Sequence, residues 1–145
     1  MILSKSGDEA EANEPNQPMT PPPSGKKVIP GNSPNLSRAV GFERMLFVSG
    51  VLGVDPQSRK LASAEFEGQC RQALTNLKAS VEAGGATLSQ VLKCTCFLVE
   101  PADFEAFNKI YRDFFPQDPP ARSTVVVKEL VMAGAKIEID CVAHL

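Results

Sequence analysis

The spacing of apolar positions changes along this chain, and each change marks a predicted element. "LSRAVGF" and "MLFVSGVLGV" are short apolar and β-branched runs separated by Glu43-Arg44, which predicts two strands joined by a tight turn. "GVDPQSRKL" carries Asp-Pro turn chemistry and reads as a short connection. From Ala64 the period becomes helical: Phe66, Cys70, Ala73, Leu74, Leu77 and Val81 form one apolar stripe. Ser63 is the expected cap of this helix, Glu65 suits its first turn, and Gly84-Gly85 ends it. "VLKCTCFLV" follows as a short apolar strand bounded by Glu100-Pro101. Phe104, Phe107, Ile110, Tyr111 and Phe114 then mark a second amphipathic helix, starting near Pro101 or Asp103 and stopped by Pro116.

The last part returns to strand chemistry. In "DPPARSTVVVKEL" two prolines keep the chain extended, and Thr124 to Val127, all β-branched, read as a largely buried strand with Arg122 at its mouth. After a turn at "VMAG", "KIEIDCVA" alternates: Ile137, Ile139 and Cys141 face one side, Glu138 and Asp140 the other. The order is β-β-(β)-α-β-α-β-β, with the bracketed strand open. That is an α+β domain, a mixed six-stranded sheet with two helices on one face. The other face must be polar or covered, so oligomerisation through it is expected.

Residues 1 to 27 differ in kind. "EAEANEPNQPMTPPPSGKK" is polar, Pro-rich and nearly free of large apolar side chains, so it cannot bury enough surface to offset chain entropy. We read 1–27 as a disordered tail and 28–145 as one domain. The N-terminus turns acidic at once and resembles neither a secretory signal nor an Arg-rich mitochondrial presequence. A cytoplasmic location is the default expectation, with a mitochondrial one left open. No apolar run is long enough to span a bilayer as a helix. A formal net charge of −2 argues against binding nucleic acid through bulk electrostatics.

Four cysteines, Cys70, Cys94, Cys96 and Cys141, are expected to be reduced, with Cys94 and Cys96 sharing one face of a strand. There is no CxxC or HExxH, so no metal is expected. The single histidine, His144, stands next to the last residue and reads as a solvated tail end.

Two charges fall on elements that otherwise read as core, Arg122 and Glu138. A plain reading makes the first a surface arginine and the second the polar half of a wet strand. If the last two strands form an antiparallel hairpin about Met132 and Ala133, Glu138 lies across from Val127. Arg122 is then five residues further along, about 17 Å away at ~3.4 Å per residue. A pocket that uses both would draw one of them from another chain.

"PPARSTVVVKELVMAGAKIEIDCVA" resembles the C-terminal signature of the RidA (YjgF) reactive-intermediate deaminases, where "PARS" leads a strand and "IEIEAIA" closes the domain. "LFVSGVLGVDPQSRKL" is similar to the family's "SGQ" strand and turn, "RQALTNLKASVEAGGATLSQVLKCTCFL" to its central helix and strand, and "FEAFNKIYRDFF" to its second helix. The likeness spans residues 29 to 145. It implies a chorismate-mutase-like fold, a homotrimer with pockets between subunits, and hydrolysis of enamines and imines such as 2-aminoacrylate to 2-keto acids and ammonia. No cofactor or metal is implied, and the partners are a small imine or keto-acid ligand and like chains, with no nucleic acid and no membrane. On this resemblance Arg122 binds the substrate carboxylate and Glu138 positions or activates water. Ser49, Gly50, Leu52, Asn108, Thr124 and Leu36 fall on the remaining substrate-binding positions.

The chemistry suits those roles. Arginine offers a planar fork to a carboxylate and stays charged. An imine carbon is already electrophilic, so orientation, one water and a proton path suffice. The chain also departs from the pattern. Leu36 replaces the tyrosine of "GPYSQAV", Val51 replaces the glutamine after "SG", and Thr124 stands where cysteine is usual. A more apolar pocket is expected, and with it a bulkier imine or a weak activity. The alternative is a non-catalytic trimeric module that binds small carboxylates or a protein partner. An endoribonuclease, an activity proposed for relatives, is disfavoured by the acidic net charge and the lack of a central histidine.

Overall fold

A computed structural model describes residues 25–145. Six strands and two helices follow one another as β1 (Lys27–Ser33), β2 (Leu36–Phe42), β3 (Met45–Leu52), α1 (Phe66–Ala83), β4 (Val91–Leu98), α2 (Phe104–Phe114), β5 (Ala121–Val126) and β6 (Ile137–His144). They form one sheet in the order β1-β2-β3-β6-β4-β5. Only β4 and β5 run parallel; the other neighbours are antiparallel. The mixed six-stranded α+β architecture is as expected. The third N-terminal strand is β1, ahead of the pair rather than behind it; residues 53–61 make a single bridge, Val54 to Leu61. Pro30 is tolerated in β1 because that strand is an edge, where a missing N–H breaks no ladder on the outer side. Of the tail read over 1–27, residues 1–24 lie outside those described, and Lys27 opens β1.

Alternation places one face of the sheet under the helices. Leu46 and Val48 of β3, Cys94, Cys96 and Leu98 of β4, and Ile137, Ile139, Cys141 and Ala143 of β6 are buried there. They meet the α1 stripe of Phe66, Cys70, Ala73, Leu74, Leu77 and Val81 and the α2 residues Phe107, Ile110 and Tyr111. The α1 stripe and the inward residues of β6 match the sequence reading; in the α2 stripe Phe107, Ile110 and Tyr111 are buried, but Phe114 is only partly so and Phe104 is 44% exposed. Ser63 does not cap α1 directly: Glu65 holds the N-cap position, and the Ser63 hydroxyl instead accepts the Glu65 backbone N–H at 3.0 Å. Gly84 closes the helix with αR geometry, and Gly85 follows at φ 93°, where a side chain would be strained.

Gln69 was missed, because an amide in an apolar stripe reads as a break. It is wholly buried, and its Nε2 donates to the carbonyls of Ser63 (3.1 Å) and Gly134 (3.0 Å) while its Oε1 accepts the Lys136 N–H (2.8 Å). One side chain thus ties the start of α1 to the loop that feeds β6.

Three further expectations fail. The last two strands do not form a hairpin, because β6 inserts between β3 and β4 while β5 joins the outer side of β4. A parallel β4–β5 pair needs a crossover, and α2 is that crossover. Nor is β5 largely buried: it is an edge strand, with Val125 45% and Val126 50% exposed. His144 is likewise no tail end; it is the last residue of β6, half-buried and paired with Met45.

Candidate functional site

Arg122 lies within β5, opposite Cys94 of β4, and so leaves the sheet on its helix-covered side. Its Nη2 donates to Oδ1 of Asn108 on α2 at 2.8 Å. Its guanidinium carbon stands 4.7 Å from the ring centre of Tyr111, 5.0 Å from Phe107 and 5.7 Å from Phe104. Three rings and one amide therefore fix the fork, at distances where cation–π attraction is appreciable. Among the described residues no carboxylate pairs with it. The fork borders a cavity of about 230 Å³ lined by Asn108, Tyr111, Arg112, Pro119, Pro120 and Arg122. Of these, only Asn108 and Arg122 are site residues expected from the sequence. Phe104, Phe107 and Tyr111 were read purely as the core stripe of α2. Their i, i+3, i+7 spacing was visible, but that they embrace an arginine depends on β5 lying beside α2.

The buried hydroxyl of Tyr111 lacks a well-formed hydrogen bond; its polar neighbour is the Cys94 thiol. Burial pushes that hydroxyl well above its ordinary value, against the pull of Arg122. Burial also raises the thiols of Cys94 to about 11 and of Cys70 and Cys141 to about 12, so they are weak nucleophiles near neutrality. Thr124 faces the covered side opposite Cys96, with its hydroxyl buried and unpartnered.

Glu138 stands elsewhere. It pairs with Phe97 of β4 and Leu52 of β3, and it leaves the sheet on the open face. Gly50 of β3 is packed against its carboxylate, so that a Cβ at residue 50 would collide with it. Burial, with the Asp140 charge adding to it, raises the Glu138 carboxyl above the usual carboxylate range. Ser49 is engaged with β2, its hydroxyl donating to the Ser37 carbonyl at 2.6 Å. Leu36 is 54% exposed and lines a separate cavity at the β1–β2 end with Val28, Pro30 and Ser37.

One chain therefore holds the candidate residues in three places. Arg122, Asn108 and Thr124 are on the covered side at the β5 edge; Glu138, Gly50, Ser49 and Leu52 gather around β3 and β6; Leu36 is at the far hairpin. Arg122 and Glu138 are two strands and about three residues apart, roughly 14 Å between Cα atoms at the usual sheet spacings, and on opposite faces. The β5–β6 hairpin pairing expected from the sequence does not form. The separation it implied holds for a different reason, since β4 lies between the two strands.

The family model described as Endoribonuclease L-PSP matches residues 28–145. The chain belongs to the RidA (YjgF) family. It is 36% identical over 114 residues to the human protein named 2-iminobutanoate/2-iminopropanoate deaminase, covering 79% of this chain and 82% of that one. It is 43% identical over 109 residues to Reactive Intermediate Deaminase A, chloroplastic, of Arabidopsis thaliana, covering 75% of this chain and 58% of that longer relative. Among solved structures, RidA from an Antarctic Psychrobacter superposes with TM-score 0.75 at 30% identity, covering 81% of this chain and 94% of that one. E. coli TdcF, solved with bound serine, gives 0.74 at 31% identity with the same coverage. RidA relatives carry chloroplastic and mitochondrial names, the latter in Schizosaccharomyces pombe. Among the described residues no helix is long and apolar enough to cross a membrane.

Proposed function

We propose that this RidA-family chain hydrolyses 2-imino and 2-enamino acids to 2-keto acids and ammonia, in a site assembled between chains of a trimer. The observation that carries the reading is Arg122, a guanidinium with no carboxylate partner among the described residues, held by Asn108 and three rings at the edge of a small cavity. A substrate carboxylate completes it, bidentately. The imine carbon then takes water: its C–O bond forms as the C=N π pair moves to nitrogen, giving a carbinolamine. Loss of ammonia from that species restores a carbonyl, so R–C(=NH)–COO⁻ plus water becomes R–C(=O)–COO⁻ plus NH₃. Glu138, whose carboxyl is raised, accepts the proton of the attacking water and returns it to the leaving nitrogen. Because the sheet separates the two residues in one chain, Glu138 comes from a neighbour.

Relatives named as imine deaminases at 36% identity support the reaction class. The open face supports assembly: Phe47, paired with Val142, is 49% exposed there, and Val125, beside Phe97, is 45% exposed. The test couples an amino-acid oxidase to keto-acid detection and asks whether the protein accelerates imine breakdown. Arg122→Ala is expected to lose at least about tenfold in rate, as for one charge-assisted contact of ~1.5–3 kcal/mol. An unchanged rate in that variant removes the assignment. Leu36 and Val51, apolar where the family pattern carries hydroxyl and amide groups, favour the second reading, a binding module without turnover. Calorimetry with 2-oxobutanoate beside the imine assay separates the two.

A further inference from the structure

The cavity beside Arg122 is lined by a second arginine that the proposed reaction does not use. Arg112 lines it, one helical turn beyond Asn108 on α2, and residues four apart on a helix are neighbours on one face. Asn108 is already bonded to Arg122, so Arg112 stands on the same side of α2 as the carboxylate anchor. Tyr111 and two prolines, Pro119 and Pro120, complete the wall, and none of the six lining residues is acidic. Neither arginine is in an ion pair among the described residues, whereas the neighbouring Asp113 is bonded to Arg71 at 3.3 Å. Two arginines without an acidic partner on one small cavity favour anions, and a ligand with two carboxylates can engage both. At about 230 Å³ the space is below the usual range for drug-sized ligands and suits a short metabolite.

We propose that Arg112 is a specificity-determining residue that selects 2-imino acids carrying a second carboxylate at the end of the side chain. This rests on Arg122 being the anchor of the 2-carboxylate, as in the proposed function. The 2-carboxylate takes Arg122 and the distal carboxylate takes Arg112 at the exposed rim, where a long, flexible fork accommodates four- or five-carbon chains. An apolar imine leaves Arg112 in water and gains nothing from it.

The test compares matched keto acids on the full chain by calorimetry: 2-oxoglutarate against 2-oxopentanoate, and oxaloacetate against 2-oxobutanoate. In at least one pair the diacid is expected to bind about tenfold tighter, the yield of one charge-assisted contact. Arg112→Gln brings that ratio to about one, Arg112→Lys keeps part of it, and Arg112→Glu inverts it. A wild-type ratio of one in both pairs, a ratio that survives Arg112→Gln, or no binding of any keto acid overturns the proposal. So does inorganic phosphate that competes as well as the diacid, which marks a general anion site. Imine turnover without diacid preference leaves the deaminase reading standing and removes this one. Diacid preference dependent on Arg112 without turnover does the reverse.

Discussion

The two faces of the sheet are finished to different degrees. On the covered face Leu46, Cys94, Cys96, Leu98, Ile137 and Ile139 are sealed by α1 and α2, and even the polar Gln69 has every bond it needs. On the open face Phe47 and Val125 stand about half exposed, on the strands that flank β6 and β4. A single chain therefore builds its own core but only half of any site that needs both Arg122 and Glu138. Stability and activity should respond to different faces, and the variants below separate them.

The largest effect is expected from Phe47→Asp. A charge in the middle of the open face should prevent the proposed trimer and reduce imine hydrolysis to background, while the circular dichroism spectrum stays close to wild type and the thermal midpoint falls only by the share that association contributes. Light scattering at micromolar concentration reads the first effect, the coupled assay the second. A wild-type protein that is monomeric and active would sink both the trimer and the shared site. On the covered face the converse holds. Leu77→Ala, at a fully buried contact between α1 and the sheet, should cost about 2–5 kcal/mol in denaturant unfolding through lost burial and a cavity. Its activity should fall only with the folded fraction.

Gln69→Ala sharpens the same contrast at smaller amplitude. It leaves the Ser63 and Gly134 carbonyls and the Lys136 N–H without partners, which costs about 2–3 kcal/mol if water does not enter. Gln69→Leu, which fills the space but pairs nothing, should be no better. A loss under about 0.5 kcal/mol in both would mean that the loop before β6 relaxes to hydrate its backbone.

How much of this could be read from the sequence follows the same division. Helical period located α1 and α2, and alternation oriented β6, because those patterns record burial within one chain. β5 defeated the reading for the same reason: four β-branched residues in a row signal burial, and one chain leaves Val125 and Val126 half exposed. Pairing order was not legible either. Nearness in sequence favours a β5–β6 hairpin, but the crossover through α2 places β5 parallel to β4 and leaves β6 to fill the centre. Arg122 and Glu138 stood out as charges on apolar elements. The ring cluster around Arg122 did not, since Phe107 and Tyr111 serve core and site with one pattern.

The smallest effect expected concerns pH and tests whether Glu138 feels the open face as described. Burial raises the Glu138 and Asp140 carboxyls, with Asp140 adding to the shift on Glu138 while Thr95 and Lys93 pull Asp140 back. The folded chain then holds these protons more tightly than the unfolded one, whose carboxyls titrate at about 4. The contribution of these two groups to stability is accordingly greatest below that value and declines as pH rises through the raised folded-state values, the opposite of a salt-bridged carboxylate. Both groups remain largely hydrated, so the slope is shallow. Glu138→Gln should remove the larger part of it, and Asp140→Asn should both remove its own share and lower the Glu138 value by deleting a neighbouring charge. Thermal midpoints of the wild type, the two single variants and the double variant, taken from pH 4 to 7, read this directly. A wild-type midpoint that climbs over this range, with the Glu138→Gln curve parallel to it, would show that Glu138 is as well solvated as any surface glutamate. Its fitness as the proton acceptor would then depend wholly on what the neighbouring chain brings to it.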